Sequence, residues 1–187
     1  METGVSFHFH GPYRTGLESA LVDFYDRHTV CHVLLPIINE SRPVSLRLLD
    51  WLTVTHSKQT LLVCDTKSGD TCNVHGDYKA CLSVYGRRLF DPFRRGDRVS
   101  GVVDGTEFAT TVGQAHFVMW AYKRGIIDHA QKDELRLIDA MKTFNQSVRQ
   151  YKKTVFHTKR PLTAVARRNL CAIKRAHKVT FDMTLSK

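Results

Sequence analysis

The side chains best placed to do chemistry in this chain are cationic. Between Ala140 and Lys187 stand twelve lysines and arginines and a single acid, Asp182. The remainder, with 16 basic and 17 acidic residues, is nearly neutral, so the formal net charge of +10 belongs to one quarter of the chain. Much of that excess comes in pairs: Lys152-Lys153, Lys159-Arg160, Arg167-Arg168 and Lys174-Arg175. Further back, Arg87-Arg88 and Arg94-Arg95 bracket the string Leu89-Phe90-Asp91-Pro92-Phe93. Ammonium and guanidinium groups at this density repel one another unless an anion meets them. The chemistry they suit is the binding of phosphate or carboxylate, on nucleic acid, acidic lipid or an acidic protein surface.

Other chemistries find less support. The ten histidines and five cysteines (Cys31, Cys64, Cys72, Cys81, Cys171) include His8-x-His10, Cys31-His32, and Cys64, Cys72 and Cys81 with His75. None of these three groupings has the C-x-x-C or H-x-x-x-H spacing that lets neighbouring ligands converge on one ion. No metal or other cofactor is therefore expected, and the thiols read as reduced, structural groups of an intracellular protein. No G-x-S-x-G elbow is present, and Gly101 and Gly105 flank a hairpin instead of opening a helix after a strand. Acidic pairs such as Asp133-Glu134 read as solvated helix faces. The sequence thus predicts no catalytic residues, no small-molecule substrate and a protein that works by binding.

These basic groups need elements to position them. At 187 residues, 42% hydrophobic and 25% charged, the chain can form one domain with its own core. No run reaches the length of a membrane-spanning helix, and the first residues do not resemble a secretion signal, so a soluble protein is expected. The predicted class is α+β: a single mixed domain with a central apolar helix, a long amphipathic helix, short antiparallel strands and a basic C-terminal segment. Its boundaries fall at an N-terminal arm over 1–14, irregular or extended, a core over 15–151 and the basic segment over 152–187.

Within the core, Thr15 and Glu18 have capping-box spacing and predict a helix over 15–28. The branched run from Thr29 to Ile38 predicts a strand. A helix is expected from Pro43 to about His56, then strands over 60–64 and 71–74 joined by a turn at Ser68-Gly69. Tyr78 to Tyr85 suggests a short helix, although its apolar residues do not settle the period. Asp104-Gly105 between 99–103 and 106–109 is the strongest hairpin signal. Thr111 and Gln114 again have capping-box spacing and open an apolar helix that Gly125 ends. Leu137, Met141, Phe144, Val148 and Tyr151, spaced by four and three residues, predict an amphipathic helix over 131–151. Residues 162–176 fit helix or strand, and alternation over 179–185 predicts a final strand.

For Phe90 and Phe93 the expectation is packing against the core, with the arginine stems lying over them and the guanidiniums in water. The partner-binding residues expected are Arg87, Arg88, Arg94, Arg95, Lys152, Lys153, Lys159, Arg160, Arg167, Arg168, Lys174 and Arg175. Base-specific readout of nucleic acid has no sequence support, since no helix-turn-helix, zinc finger or aromatic RNA motif is visible.

Four strings in order resemble an uncharacterised family of nucleocytoplasmic large DNA viruses, met in iridoviruses, marseilleviruses, phycodnaviruses and mimivirus relatives. They are Leu46 to Ser57, Tyr85 to Arg98, Thr110 to Ile127 and Lys159 to Asp182, and the likeness covers about Ser45 to Phe181. Ala115-His116 departs from the bulkier or Asn residues usual there, and the first 40 residues match nothing in the pattern. The resemblance implies viral origin and assigns a role to no residue. Taken with a non-enzymatic domain carrying a cationic flank, it suggests a minor capsid or other structural protein of a virion, present in host cytoplasm during assembly. Its partners would be the major capsid protein or other minor capsid proteins. A nucleic-acid-binding protein of the viral core or transcription system, with DNA as partner, is the competing expectation.

Overall fold

Apolar residues at helical spacing build most of the core, and the computed structural model shows how they are arranged. It describes residues 5–11, 15–93 and 96–158, with side chains as far as Lys153. Two compact units divide after Lys142. The first holds two small antiparallel sheets and most of the helical structure, so the class is α+β as the patterning predicts.

Strand β1 (Ser6–His10) pairs antiparallel with β4 (Arg98–Val103), which pairs with β5 (Thr106–Thr111), giving the order β1-β4-β5. Asp104 and Gly105 make the two-residue turn between β4 and β5, and both have positive φ (50° and 77°). A turn of that hand matches the natural twist of the flanking strands, and Gly accepts positive φ without steric cost. Phe7 of β1 and Phe108 of β5 meet edge to face at 5.7 Å across the sheet.

Helix α1 (Thr15–Phe24) leads into α2 over 27–38, where a strand is predicted and a helix is found. Three features account for the difference. Asp26 caps the helix by accepting the Thr29 N–H at 2.7 Å. Val30, Val33, Leu34 and Ile37 are buried, at spacings of three, one and three that belong to a helix face. The widened π turn Val30–Leu34 precedes Pro36, whose missing N–H would otherwise interrupt a regular ladder. Burial on a helical stripe overrides the strand preference of branched residues.

Helix α3 over 46–60 starts at Leu46, three residues after Pro43, because the Ser45 hydroxyl accepts the Leu48 N–H. It contains a second π turn (Leu52–His56) and closes at Leu61 in the left-handed conformation. The short hairpin β2 (Val63–Asp65) and β3 (Thr71–Asn73) sets Cys64 opposite Cys72, both buried. The first strand thus begins later than the sequence suggests, because 57–60 are still helical.

Helix α4 (Val74–Leu89) absorbs the segment of unsettled period and runs well beyond it, with a break at Gly86 (φ 65°, ψ 166°). Helix α5 (Val112–Lys123) is the centre of the unit, with nine of its twelve residues buried. Thr111 caps it by accepting the Gln114 N–H at 3.2 Å. The buried Tyr25 hydroxyl donates to the Ala115 carbonyl at 2.7 Å, and burial pushes its pKa well up.

Gly125 ends α5 with φ 67° and opens α6 (Ile126–Lys132). A Cβ at this position would lie 2.0 Å from the Asp65 carbonyl oxygen, so only glycine lets the hairpin approach the helix end. Helix α7 (Glu134–Thr158) follows, and its apolar stripe loses cover along its length. In the first unit Leu137 is buried and Met141 half-buried; in the second Phe144 and Val148 are half-buried and Tyr151 is 71% exposed. The predicted strand over 179–185 and the segment over 162–176 lie outside the described residues.

Candidate functional site

The arginine-flanked string divides its two phenylalanines between opposite environments. Phe90 is fully buried, with its ring centroid 5.3 Å from Trp120, 5.1 Å from His116 and 5.6 Å from Tyr78. Phe93 is 55% exposed, which corrects the expectation that both rings pack on the core. The turn between them is closed locally: the Asp91 carboxylate accepts the Phe93 N–H at 2.9 Å. Pro92 fixes one backbone angle of the same turn and is buried.

This turn is seated on the first turn of α5. A Cβ on Gly113 would stand 3.1 Å from the Asp91 carbonyl oxygen, so the helix start and the turn meet backbone to backbone. The His116 ring nitrogen Nδ1 lies 3.0 Å from the Leu89 carbonyl oxygen. Burial pushes the His116 pKa down, opposed by that hydrogen bond, and nearby Lys123 lowers it further. A neutral imidazole with Nδ1 protonated satisfies this geometry.

Two carboxylates interact here that the sequence keeps far apart. Asp50 of α3 has its pKa raised to about 6, first by burial and then by the negative charge of Asp91. Burial and then both carboxylates raise the Tyr78 phenol, while Arg87 opposes them. The resembling strings that contain Asp50, Asp91 and Gly113 therefore converge on one place. No sequence signal marks that convergence, because each carboxylate looks alone in its own string.

Arg87 and Arg88 end α4 with exposed side chains. Arg88 is committed to Asp97, with Nη2 to Oδ1 at 2.8 Å, and that guanidinium is half exposed. Such a surface pair contributes little and leaves most guanidinium donors available. In the second unit Lys152 and Lys153 are exposed on α7, and so is Arg149. Arg94, Arg95, Lys159, Arg160, Arg167, Arg168, Lys174 and Arg175 lie outside the described residues.

Burial raises the pKa of Cys64 to about 11 and also raises those of Cys72 and Cys81, which keeps these thiols protonated and weakly nucleophilic. Among the described residues no group of three or more His, Cys, Asp or Glu is placed to hold a metal ion. No helix among them is long and apolar enough to cross a membrane.

The most informative ion pair was not visible in the sequence. Asp77 of α4 accepts Arg124 Nε at 2.8 Å and Arg124 Nη2 at 3.1 Å, and also the Trp120 indole N–H at 2.7 Å. It ties α4 to the end of the central helix.

Comparison with known proteins returns no matching solved structure. The chain is similar to "Uncharacterized protein L507" of Acanthamoeba polyphaga mimivirus, 32% identical over 109 residues, which cover 52% of this chain and 41% of the relative. It thus spans about two fifths of the length of that relative, whose source suggests a viral protein. A family model matches residues 6–165, taking in both sheets, every helix described above and the first basic pairs of the C-terminal quarter; the chain belongs to that family, DUF7197, a family of unknown function.

Proposed function

We propose that this protein is a non-enzymatic structural component of a large icosahedral DNA virus particle, which binds acidic surfaces of neighbouring virion proteins through its basic C-terminal quarter. One observation carries the reading: twelve cations against one acid after residue 139, beside a body of almost no net charge. A self-repelling segment of that kind gains most when an external anionic surface meets it. The viral relative supports a viral setting. The exposure of Arg149, Lys152 and Lys153 supports access to a partner.

Purified particles provide the test. The chain should be detected in them by mass spectrometry, and zero-length carbodiimide cross-linking should join Lys152 or Lys153 to an Asp or Glu of another virion protein. Absence of the chain from particles would overturn the reading.

A second reading has one observation in its favour. Arg149 and Lys152-Lys153 recur along α7 at three to four residues, one side of a helix. A line of cations suits a line of phosphates, and non-specific DNA binding of that kind weakens steeply between about 50 and 200 mM salt. Lack of DNA affinity at low salt would end it.

A further inference from the structure

A cleft of about 510 Å³ opens on the first unit between the β2–β3 turn, α4 and the end of α5. Its lining is chemically divided. The rim at the C-terminal end of α5 carries Lys67, Lys123 and Arg124; Tyr85 and His116 stand together about two helical turns nearer its start, with the buried Trp120 between; and among the described residues no carboxylate lines the cleft. The volume lies in the range usual for small-molecule sites, where an apolar wall and a few convergent polar groups are the ordinary composition.

Each cation already has a partner, yet each keeps donors to spare. Lys67 meets Asp128 at 2.5 Å, with both side chains about two fifths exposed. A pair that open to water contributes little and gives way readily to a better anion. Arg124 spends Nε and one Nη2 hydrogen on Asp77, which leaves three of its five N–H donors. Lys123 has its ammonium 5.2 Å over the Phe24 ring, a contact that uses none of its hydrogen-bond geometry. The rim is also held in place, since the Lys67 N–H donates to the Lys123 carbonyl at 2.9 Å.

The aromatic side is equally fixed. Tyr85 stands edge-on to His116 at 4.4 Å and is 39% exposed, so part of its ring faces solvent. Trp120 is oriented by its bond to Asp77, and His116 by its contact with the Leu89 carbonyl. Aromatic side chains at one end of the cleft and cations at the other match a flat ring that carries a negative group. Ring stacking and charge-assisted hydrogen bonds to phosphate are separate sources of affinity.

We propose that this cleft is a binding site for a nucleoside phosphate, with the base against Tyr85 and the phosphate on Lys67, Lys123 and Arg124. The proposal rests on residues outside the basic C-terminal quarter and stands or falls independently of the role given to that quarter.

Equilibrium dialysis of the full chain with AMP, adenosine and inorganic phosphate tests it, together with mass-spectrometric mapping of cysteine alkylation. AMP is expected to bind at one site per chain, roughly tenfold or more tighter than adenosine or phosphate alone. AMP should also slow alkylation of Cys81, which lines the cleft, and leave Cys31 of α2 unaffected. The exposed double variant Lys67→Glu, Lys123→Glu should fold and lose roughly tenfold or more of the AMP affinity. Tyr85→Ala should lose several-fold. The proposal is overturned if AMP shows no saturable binding at millimolar concentration. It is equally overturned if the double variant binds AMP like the parent, or if phosphate alone binds as tightly as AMP.

Discussion

Asp77 and Arg124 are joined by two hydrogen bonds of 2.8 and 3.1 Å, and Trp120 adds a third to the same carboxylate. The pair is only partly exposed, so its loss costs more than that of a surface bridge. Asp77→Ala leaves an arginine and an indole N–H without their acceptor. Destabilisation by about 2 kcal/mol is expected, read as a shift in the urea unfolding midpoint with an unchanged slope.

Asp50 gives stability a pH dependence of definite sign. Its folded pKa of about 6 lies above its ordinary value of 3.8, so the folded protein holds a proton that the unfolded chain releases. Stability from this group is present below pH 4 and is lost as pH rises towards 6. Asp50→Asn should remove that slope and make the protein more stable at pH 7, by roughly 1 kcal/mol once solvent screening is allowed for. Unfolding curves of parent and variant at pH 4, 5, 6 and 7 measure the difference, and curves that stay parallel across this range would count against the coupling.

The two phenylalanines of the FDPF string should separate cleanly. Phe90→Ala empties the middle of the aromatic cluster and should cost about 3 to 5 kcal/mol. Phe93→Ala, at a ring more than half exposed, should fall within about 0.5 kcal/mol of the parent. Thermal denaturation of both variants compares them directly.

Much of this fold is legible from local chemistry. The β4–β5 hairpin follows from Asp104-Gly105, and the start and end of α5 follow from Thr111 and Gly125. The α2 segment is misread because Val30, Val33, Leu34 and Ile37 satisfy two patterns, branched strand and helical stripe, and only tertiary burial chooses between them. What stays hidden is long-range. Asp77 finds its partners on a distant element and Asp91 comes under the charge of a distant Asp50, and neither relation leaves a periodicity behind. The same holds for the cleft, whose cations and rings come from three separate elements.

Gly125 is a case where one atom decides. With φ at 67° and a neighbouring carbonyl 2.0 Å from any added Cβ, Gly125→Ala must push the β2–β3 hairpin away from α5. A loss of about 2 kcal/mol or more is expected. Faster hydrogen exchange at the Lys67 amide, which donates to the Lys123 carbonyl beside that glycine, would show where the damage falls.

The proposed function requires the cations gathered after residue 139 to be met by an anionic surface outside the folded body. Its most direct measurement replaces Arg167, Arg168, Lys174 and Arg175 together by Glu and follows the full chain into virus particles made in infected cells. The expected variant folds with the parent's circular dichroism and unfolding midpoint and is lost from purified particles. A variant that is packaged at the parent's level would contradict the proposed function.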